Sequence, residues 1–352
     1  MKTISKNKYI ILSSSCKVVE GKYRGVIIDY LRRNLYYISK EYCSFLININ
    51  RKSIMDIEKQ LEDASSLENF YIFLKFLSSK ELIFFTSNLA LFPKENCKLR
   101  ETPNLINNCI LTLDTDLFEE EIFLRICEEL ELTQCFDAQI RITGSKWIDY
   151  VEYVCKELAC HGIRYIEIAS QYNENEEKFL KDFITNIPLL SHIYIFGAKD
   201  NIIQEVSNDK DGEEKITYGE IYYTSCPYDP TNCCGIINKH SLDFSSIHAY
   251  NKYKVVNGCL YKKVAIDGKG EVRNCPSQSF SFGNIKDNSL KKIITRHQFQ
   301  EIWYLTKDSI EYCRDCELRY CCSDCRFIIE HPDNRYSKPL NCNYNIKTGT
   351  WS

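Results

Sequence analysis

The sequence lacks the marks of a membrane protein or a nucleic-acid-binding protein. No apolar run approaches the length of a membrane span. The 45 Lys and Arg residues do not outnumber the 48 Asp and Glu residues, and the net charge is −3. A chain without a basic surplus has little attraction for phosphate backbones or anionic lipid. We therefore predict neither nucleic acid nor a membrane as a partner.

We also expect no export signal. Residues 2–8 are basic, but the apolar run that follows, Tyr9-Ile-Ile-Leu, is shorter than the apolar region of a secretory signal. Disulfide-rich secreted domains are small and have weak cores, whereas this chain has 352 residues of which 44% are hydrophobic. We expect a cytoplasmic protein whose clustered cysteines bind metal, with disulfides as the poorer alternative.

Five of the 19 cysteines fall within residues 313–325, among charged and polar neighbours. Two C-x-x-C steps occur there, Cys313/Cys316 and Cys322/Cys325, and Cys321 and Cys342 lie nearby. A C-x-x-C step turns the chain so that two thiolates can converge on one metal ion or cluster. Buried cysteines of ordinary cores occur singly, so this run predicts metal binding.

Two further cysteines, Cys259 and Cys275, flank the segment Val-Ala-Ile-Asp-Gly-Lys-Gly-Glu-Val. This segment predicts a β-hairpin with its turn at 267–270. Pairing of the two arms would bring both cysteines to the open end of the hairpin. The chain thus supplies seven well-placed ligands, and because one tetrahedral site needs four, the count indicates two sites.

Residues 1–95 show three short apolar runs, then three helical patterns, then a closing strand. Ser53 and Ser66 are the expected N-caps of the second and third helices, and Asp56 is the expected partner of Ser53. A small β-hairpin with three helices and a wing describes a winged-helix module. It lacks a concentrated basic face, so DNA binding is not expected.

Residues 104–225 alternate strand with helix, which predicts a parallel sheet that is open or partly closed into a barrel. Gly162 is expected just past the end of one of these helices. Asp114 and Asp116 follow the first strand, where such folds usually keep their sites; a solvated loop is the alternative. The remaining cysteines of this region are expected to fill the core: Cys109, Cys127, Cys135, Cys155 and Cys160.

From Gly258 onward the chain resembles a SPASM domain. The resemblance rests on Gly258-Cys259, Val272-Arg-Asn-Cys275-Pro276, Phe282-Gly-Asn-Ile285 and the C-x2-C-x5-C-x2-C spacing. Such domains follow a radical S-adenosylmethionine (SAM) barrel in peptide-modifying enzymes and carry auxiliary [4Fe–4S] clusters. Three segments resemble the SPASM maturases of "grasp-with-spasm" ribosomal peptide systems: Cys16-Lys-Val-Val-Glu-Gly, Ile28-Asp-Tyr-Leu-Arg-Arg and Cys316-Glu-Leu-Arg-Tyr. The resemblance covers essentially the whole chain. These maturases are encoded with an ATP-grasp ligase and a short precursor peptide.

This resemblance implies three parts in an α/β protein. They are a winged-helix leader-peptide recognition module at 1–95, a degenerate radical SAM-like βα barrel at 104–225 and a SPASM domain at 226–352. It also implies two ligand groups. Cys259, Cys275 and Cys325 would hold the first cluster, and Cys313, Cys316, Cys322 and Cys342 the second.

The first group is one ligand short, because the residue where some relatives have a further cysteine lies near Ala265. Cys226, Cys233, Cys234 or an exogenous group could complete it; otherwise the iron stays open or the cluster is missing. Cys321 occupies an apolar position of the family. Zinc is the alternative metal, because four-cysteine zinc sites use the same C-x-x-C steps.

One departure from the family bears on activity. The C-x3-C-x2-C motif that binds the SAM-cleaving cluster is absent from the sequence, and the first strand is followed by Asp-Thr-Asp-Leu-Phe-Glu-Glu. The resemblance therefore implies an accessory protein without its own SAM cleavage. No glycine-rich phosphate loop appears, so ATP use would belong to the ligase.

We expect the protein to bind a precursor peptide, with an extended leader adding a strand to a sheet edge near 25–30, and to act with an ATP-grasp ligase. Two alternatives stay open. One is an enzyme that uses an open iron of the first cluster, and the other is a zinc-stapled interaction protein.

Overall fold

A computed structural model describes residues 5–61, 63–94, 97–208, 215–323 and 325–352. The chain packs into two compact units, each built from separate stretches. The terminal unit comprises Met1–Arg100, Ile236–Gly258 and Leu305–Ser352, and the sheet unit comprises Glu101–Gly235 and Cys259–Tyr304. The division into 1–95, 104–225 and 226–352 stays a prediction. Among the described residues, every helix is too short or too polar to span a lipid bilayer.

The strands are β1 Tyr9–Leu12, β2 Cys16–Glu20, β3 Arg24–Asp29, β4 Asn34–Ser39, β5 Ile83–Thr86, β6 Asn108–Asp114, β7 Asp137–Thr143, β8 Tyr165–Gln171, β9 Leu190–Phe196, β10 Ile202–Ser207, β11 Thr217–Thr224, β12 Lys263–Asp267, β13 Val272–Arg273, β14 Tyr344–Asn345 and β15 Thr350–Trp351. The helices are α1 Lys40–Ile49, α2 Ile54–Glu58, α3 Ala64–Ser79, α4 Glu120–Leu132, α5 Trp147–Cys160, α6 Glu177–Asn186, α7 Ile247–Val255, α8 Leu290–Ile294 and α9 His297–Gln300.

In the terminal unit, β2, β3 and β4 form an antiparallel sheet in that order, and β1 pairs with β5. The Ser53 cap is confirmed: its hydroxyl accepts a hydrogen bond from the Asp56 amide and donates one to the Asp56 carboxylate. The Ser66 cap is wrong. Asp63 is the N-cap of α3 and accepts a hydrogen bond from the Ser66 amide, so its carboxylate satisfies one of the free N–H groups at the start of the helix.

The terminal unit joins its N-terminal sheet to the cysteine-rich segment at Gly21. A Cβ atom built on Gly21 would lie 2.8 Å from the backbone nitrogen of Glu317. The Lys22 amide donates to the Asp315 carbonyl over 2.7 Å. Only a residue without a side chain allows these two stretches to approach so closely.

The sheet unit contains a mostly parallel sheet. Within the described residues, eight strands pair in the order β10-β11-β9-β8-β7-β6-β12-β13. The run from β12 to β11 is parallel, and β10 and β13 pair antiparallel at the two ends. The predicted parallel sheet is thus confirmed. Gly162, with φ +87°, lies at the expected position, two residues after the last residue of α5.

The predicted hairpin is also confirmed: β12 pairs antiparallel with β13, with Ala265 opposite Arg273. Its first arm lies parallel to β6, with Lys263 opposite Asn108. Four cysteines of this unit are buried core residues, as expected: Cys109, Cys127, Cys135 and Cys155. The expectation for Cys160 is wrong, because this last residue of α5 lies on the exposed side of the helix.

Candidate metal centres

The first centre is a cavity of about 370 Å³ in the sheet unit. Four cysteines line it. Cys259 and Cys275 come from the two ends of the hairpin, and Cys233 and Cys234 come from the segment that follows β11. The structure therefore brings Cys259 and Cys275 to one cavity and adds two neighbours to them. Cys226 is not among the lining residues, and Cys325 belongs to the terminal unit.

One face of the parallel sheet forms the floor of the first cavity. Every second residue of the strands points to this face, including Gln139 and Arg141 of β7 and Glu167 and Ala169 of β8. Gln139 donates to Glu167 over 3.0 Å, and Arg141 donates to Gln139 over 2.9 Å. The other face carries the buried Ile and Leu side chains, so the polar face is the one available for a ligand.

Two cations contact sulfur atoms of the first cavity. Lys263 Nζ lies 3.4 Å from Cys259 Sγ, and Arg141 Nη2 lies 3.8 Å from Cys234 Sγ. Positive charge beside a thiol stabilises the thiolate, which is the form that binds metal. The sequence-based prediction of metal ligands did not include these two cations. The signal that could have indicated them is a charged residue within an apolar strand, at the start of the strand for Lys263 and in its middle for Arg141.

The pKa shifts in this cavity reflect burial and close sulfur atoms. Burial, followed by the charges of Cys259 and Cys234, raises the pKa of Cys275 to about 11. Burial alone would lower the pKa of Lys263, but the charges of Cys259, Cys275 and Cys234 outweigh it and raise that pKa. A bound metal would take the place of the proton on such buried thiols.

The second centre is a small cavity of about 30 Å³ in the terminal unit. Its lining includes all four cysteines of the predicted second group: Cys313, Cys316, Cys322 and Cys342. Apolar side chains such as Leu318 and Trp351 complete the wall. The structure thus collects the whole second group in one apolar site.

Backbone pairing holds the cysteines of the second cavity in place. Cys322 forms an antiparallel bridge with Leu242, and Cys342 forms a parallel bridge with Ile237. The amide of Cys316 donates to the Cys313 carbonyl, which closes the first C-x-x-C turn, and the amide of Leu318 donates to Cys316 Sγ over 3.4 Å. Amide donors of this kind stabilise thiolate ligands and tune clusters.

A fully buried carboxylate, Glu317, lies next to Cys316 in the chain. Arg24 Nε donates to it over 2.8 Å, and the Tyr344 hydroxyl also donates to it. Its second oxygen, Oε2, is buried without a hydrogen-bond partner. Burial, followed by the charge of Glu317, raises the pKa of Cys316 well above its usual value.

Two cysteines of the run lie outside the second cavity. Cys321 is fully buried in the hydrophobic core, as expected for an apolar position. Its Sγ donates to the Leu318 carbonyl over 3.3 Å. Cys325 is not among the residues that line this cavity.

Within the described residues, no group of three or more His, Cys, Asp or Glu side chains has the spacing of a finished metal site. The cysteines that line each cavity fit a thiophilic metal. In each cavity these side chains would have to move closer together to surround the metal.

The end of the first sheet strand, β6, carries no cysteine within the described residues. A cavity of about 330 Å³ there is lined by residues such as Asp114, Phe118 and Lys269. Asp114 accepts from the Asp116 amide, and Asp116 accepts from the Ser145 amide and hydroxyl. Both carboxylates therefore fix local turns in this structure.

A groove of about 760 Å³ runs along β2 in the terminal unit. Lys17 and Val18 of β2 form one side, Leu46 and Ile47 of α1 another, and residues 91–94 close it. The expectation that an added strand would pair near 25–30 is wrong, because β3 is already paired on both sides by β2 and β4. Within the described residues, the free edges of this sheet are β2 and β4.

Comparison with known proteins gives one family match. No curated protein matches the chain in sequence. Among solved structures, Streptococcus suis SuiB is 11% identical, with a TM-score of 0.32 over 94% of this chain and 99% of SuiB. SuiB bound to S-adenosylmethionine gives 11% and 0.32 over 95% and 99%. SuiB bound to its precursor peptide SuiA gives 9% and 0.30 over 94% and 98%.

TM-scores this low carry no argument about this chain. The family match concerns the segment that holds the hairpin and the first cysteines of the second group. Residues 259–317 match the model of the SPASM domain, described as an iron-sulfur cluster-binding domain.

Proposed function

We propose that this chain is an iron–sulfur protein of ribosomal peptide maturation that binds a precursor peptide and acts with an ATP-grasp ligase. One observation carries the iron–sulfur part: two sets of four cysteines each line a single cavity, and the SPASM match covers parts of both sets. The peptide and the ligase come from the family resemblance of the sequence.

The second cluster would be held by Cys313, Cys316, Cys322 and Cys342, which share one cavity. The first would be held by Cys259 and Cys275, and the resemblance assigns Cys325 to it as well. A [4Fe–4S] cluster supplies one-electron redox chemistry or a covalent tie between chain segments. This chain contributes the thiolates, the cations beside them and the apolar walls that limit water.

The peptide would bind in the groove along β2. An extended leader can add a strand to an exposed sheet edge, where backbone hydrogen bonds give affinity and side-chain pockets give specificity. The β2 edge borders a groove with an apolar side from Leu46 and Ile47, which suits alternating side chains of such a strand. The winged-helix assignment of the 1–95 region is part of this proposal.

We further propose that the protein does not cleave SAM. The C-x3-C-x2-C motif is absent from the sequence, and the cavity at the end of β6 has no cysteine among its lining residues in the described part of the chain. The protein would then act in the cytoplasm as a cluster-bearing scaffold that presents the peptide to the ligase.

Zinc in the second cavity is the second candidate. A volume of about 30 Å³ is small for a cluster, since roughly 10–15 Å³ on this measure already holds one water molecule. A tetrahedral Cys₄ zinc site would hold the same segments together without redox chemistry.

The test is anaerobic purification of the full chain, followed by counts of iron, sulfide and zinc per chain. The proposal expects iron and sulfide in equal amounts and a brown protein. A colourless protein that contains only zinc would contradict it and favour the interaction-protein alternative. Incubation with SAM and a reductant should yield no 5′-deoxyadenosine, and its detection would show an enzyme.

The peptide part has a separate test, which uses any short precursor peptide whose reading frame lies beside the gene. Fluorescently labelled peptide should bind the purified chain, and Val18→Pro should weaken binding at least tenfold because proline at a sheet edge cannot donate a hydrogen bond. Tyr37→Pro on the β4 edge is the matched control. Equal loss in both variants, or none in either, would remove the β2 groove from the proposal.

A further inference from the structure

We propose that Cys234 is the ligand that the first centre lacks, supplied from the segment after β11, and that its neighbour Cys233 is not a ligand. This inference rests on the proposed function, because it assigns one residue to the first cluster of that proposal. It concerns a residue outside both the C-terminal cysteine run and the hairpin.

The position of Cys234 supports its role as a ligand. Cys234 lines the same cavity as Cys259 and Cys275, although it lies 25 positions before Cys259 in the chain. Cys233 lines this cavity too, so the two neighbours are distinguished by their hydrogen bonds.

The hydrogen bonds of the two neighbours separate them. Cys233 Sγ donates to the Asp229 carbonyl over 2.8 Å, which directs it toward its own loop. Cys234 Sγ instead accepts from the buried guanidinium of Arg141. A sulfur atom that accepts from a cation has the polarity of a metal-binding thiolate.

The segment that carries Cys234 is anchored on two sides. Arg141 Nη1 donates to the Pro230 carbonyl over 2.9 Å, and the Tyr228 hydroxyl donates to the Ala169 carbonyl of β8 over 2.8 Å. The Ser277 hydroxyl, two residues beyond Cys275, donates to the Thr231 carbonyl. These bonds tie the segment both to the sheet and to the hairpin end, so Cys234 is positioned by the fold.

The physical role of Arg141 follows from its contacts. It joins Gln139 of the sheet floor, the Pro230 carbonyl and Cys234. A positioned cation next to a ligand sulfur both orients the ligand and lowers the negative charge of the site. Arg141 is thus a positioning residue and Cys234 the ligand.

The experiment compares Cys234→Ser with Cys233→Ser in the full chain, purified anaerobically, with Cys259→Ser as the reference for loss of the first cluster. Iron and sulfide per chain are measured together with the electron paramagnetic resonance spectrum of the reduced protein. We expect Cys234→Ser to lose the same share of iron and the same signal as Cys259→Ser, and Cys233→Ser to match the wild type.

A labelling measurement covers the case in which a variant fails to fold. Wild-type protein is treated with iodoacetamide before and after a chelator removes the metal, and the modified cysteines are located by mass spectrometry. Cys234 is exposed in this structure and Cys233 only partly so, so exposure alone predicts faster labelling of Cys234. We expect the opposite order in the metal-loaded protein, with Cys234 labelled about tenfold more slowly until the metal is removed.

Full iron content in Cys234→Ser, or rapid labelling of Cys234 in the loaded protein, would overturn the assignment while leaving the iron–sulfur proposal intact. Loss of iron in Cys233→Ser alone would transfer the role to the neighbour and equally overturn it. A wild-type protein without iron would instead contradict the proposed function.

Discussion

The two cysteine-lined cavities use the same ligand chemistry in opposite surroundings. The first has a volume of about 370 Å³ and a floor of Gln139, Glu167 and Arg141, and Lys263 contacts one of its sulfur atoms. The second has about 30 Å³ and an apolar wall, with a buried carboxylate beside it. The first cavity has room for a ligand in addition to a metal, and the second does not.

This difference indicates a structural role for a metal in the second cavity and a chemical role for a metal in the first. In the second cavity Cys322 pairs with Leu242 and Cys342 pairs with Ile237, so a metal bound by the four cysteines would hold segments of the terminal unit together. In the first, the sheet already carries a hydrophobic core on its other face. Loss of metal should therefore damage folding at the second cavity and chemistry at the first. Three variants test this contrast.

The largest expected effect is that of Cys316→Ser. A structural metal contributes on the order of 10 kcal/mol to folding, which is as large as the whole stability of a typical domain. We expect an insoluble or protease-sensitive terminal unit, measured by limited proteolysis and by thermal melting. The matched control is Cys321→Ala, which removes a core thiol outside the cavity and should leave a folded protein. If Cys316→Ser melts at the same temperature as the wild type, a metal in the second cavity does not stabilise the terminal unit.

Glu317→Ala should have an intermediate effect. The change leaves Arg24 and the Tyr344 hydroxyl without the buried carboxylate that they contact. Breaking a buried ion pair from one side costs roughly 3–5 kcal/mol, and urea unfolding would measure it. The control is Glu205→Ala, whose partner Lys215 is largely exposed, so its effect on stability should be much smaller. Equal costs would show that the carboxylate does not brace the second cavity.

Lys263→Met should have the smallest effect on stability and act on chemistry instead. Loss of a cation 3.4 Å from Cys259 Sγ leaves the site more negative, which makes a cluster harder to reduce. We expect the midpoint potential of the first cluster to fall by on the order of tens of millivolts, measured by redox titration, with unchanged thermal melting. An unchanged potential would indicate that the metal lies away from Lys263.

Local sequence patterns predicted the elements whose cause is itself local. Alternating strands and helices gave the parallel sheet, and the turn residues at 267–270 gave the hairpin, because hydrophobic period and turn chemistry are set within a few residues. The shared cavity of Cys313, Cys316, Cys322 and Cys342 depended on close spacing and on the family pattern. Both the spacing and the family pattern can be read from the sequence alone.

Long-range features did not follow from the sequence in the same way. The sequence pattern does not predict β2 and therefore predicts an edge at β3, whereas strand pairing shows that β3 is central. The pattern also predicts Ser66 as the N-cap of α3, although Asp63 holds that position, because both residue types favour it. Arg141 contacts Cys234 although the two lie 93 positions apart in the chain, and no local pattern specifies such a contact.

The place of β12 in the sheet has a consequence for synthesis. β6 pairs with β7 on one side and with β12 on the other, yet the ribosome makes β12 only after all of β6–β11 and the whole 236–258 stretch. Until then β6 presents an unprotected strand edge, which is a template for aggregation. Truncation before residue 263 should for this reason give a nascent chain that depends on chaperones, and the newborn protein is most vulnerable in that interval.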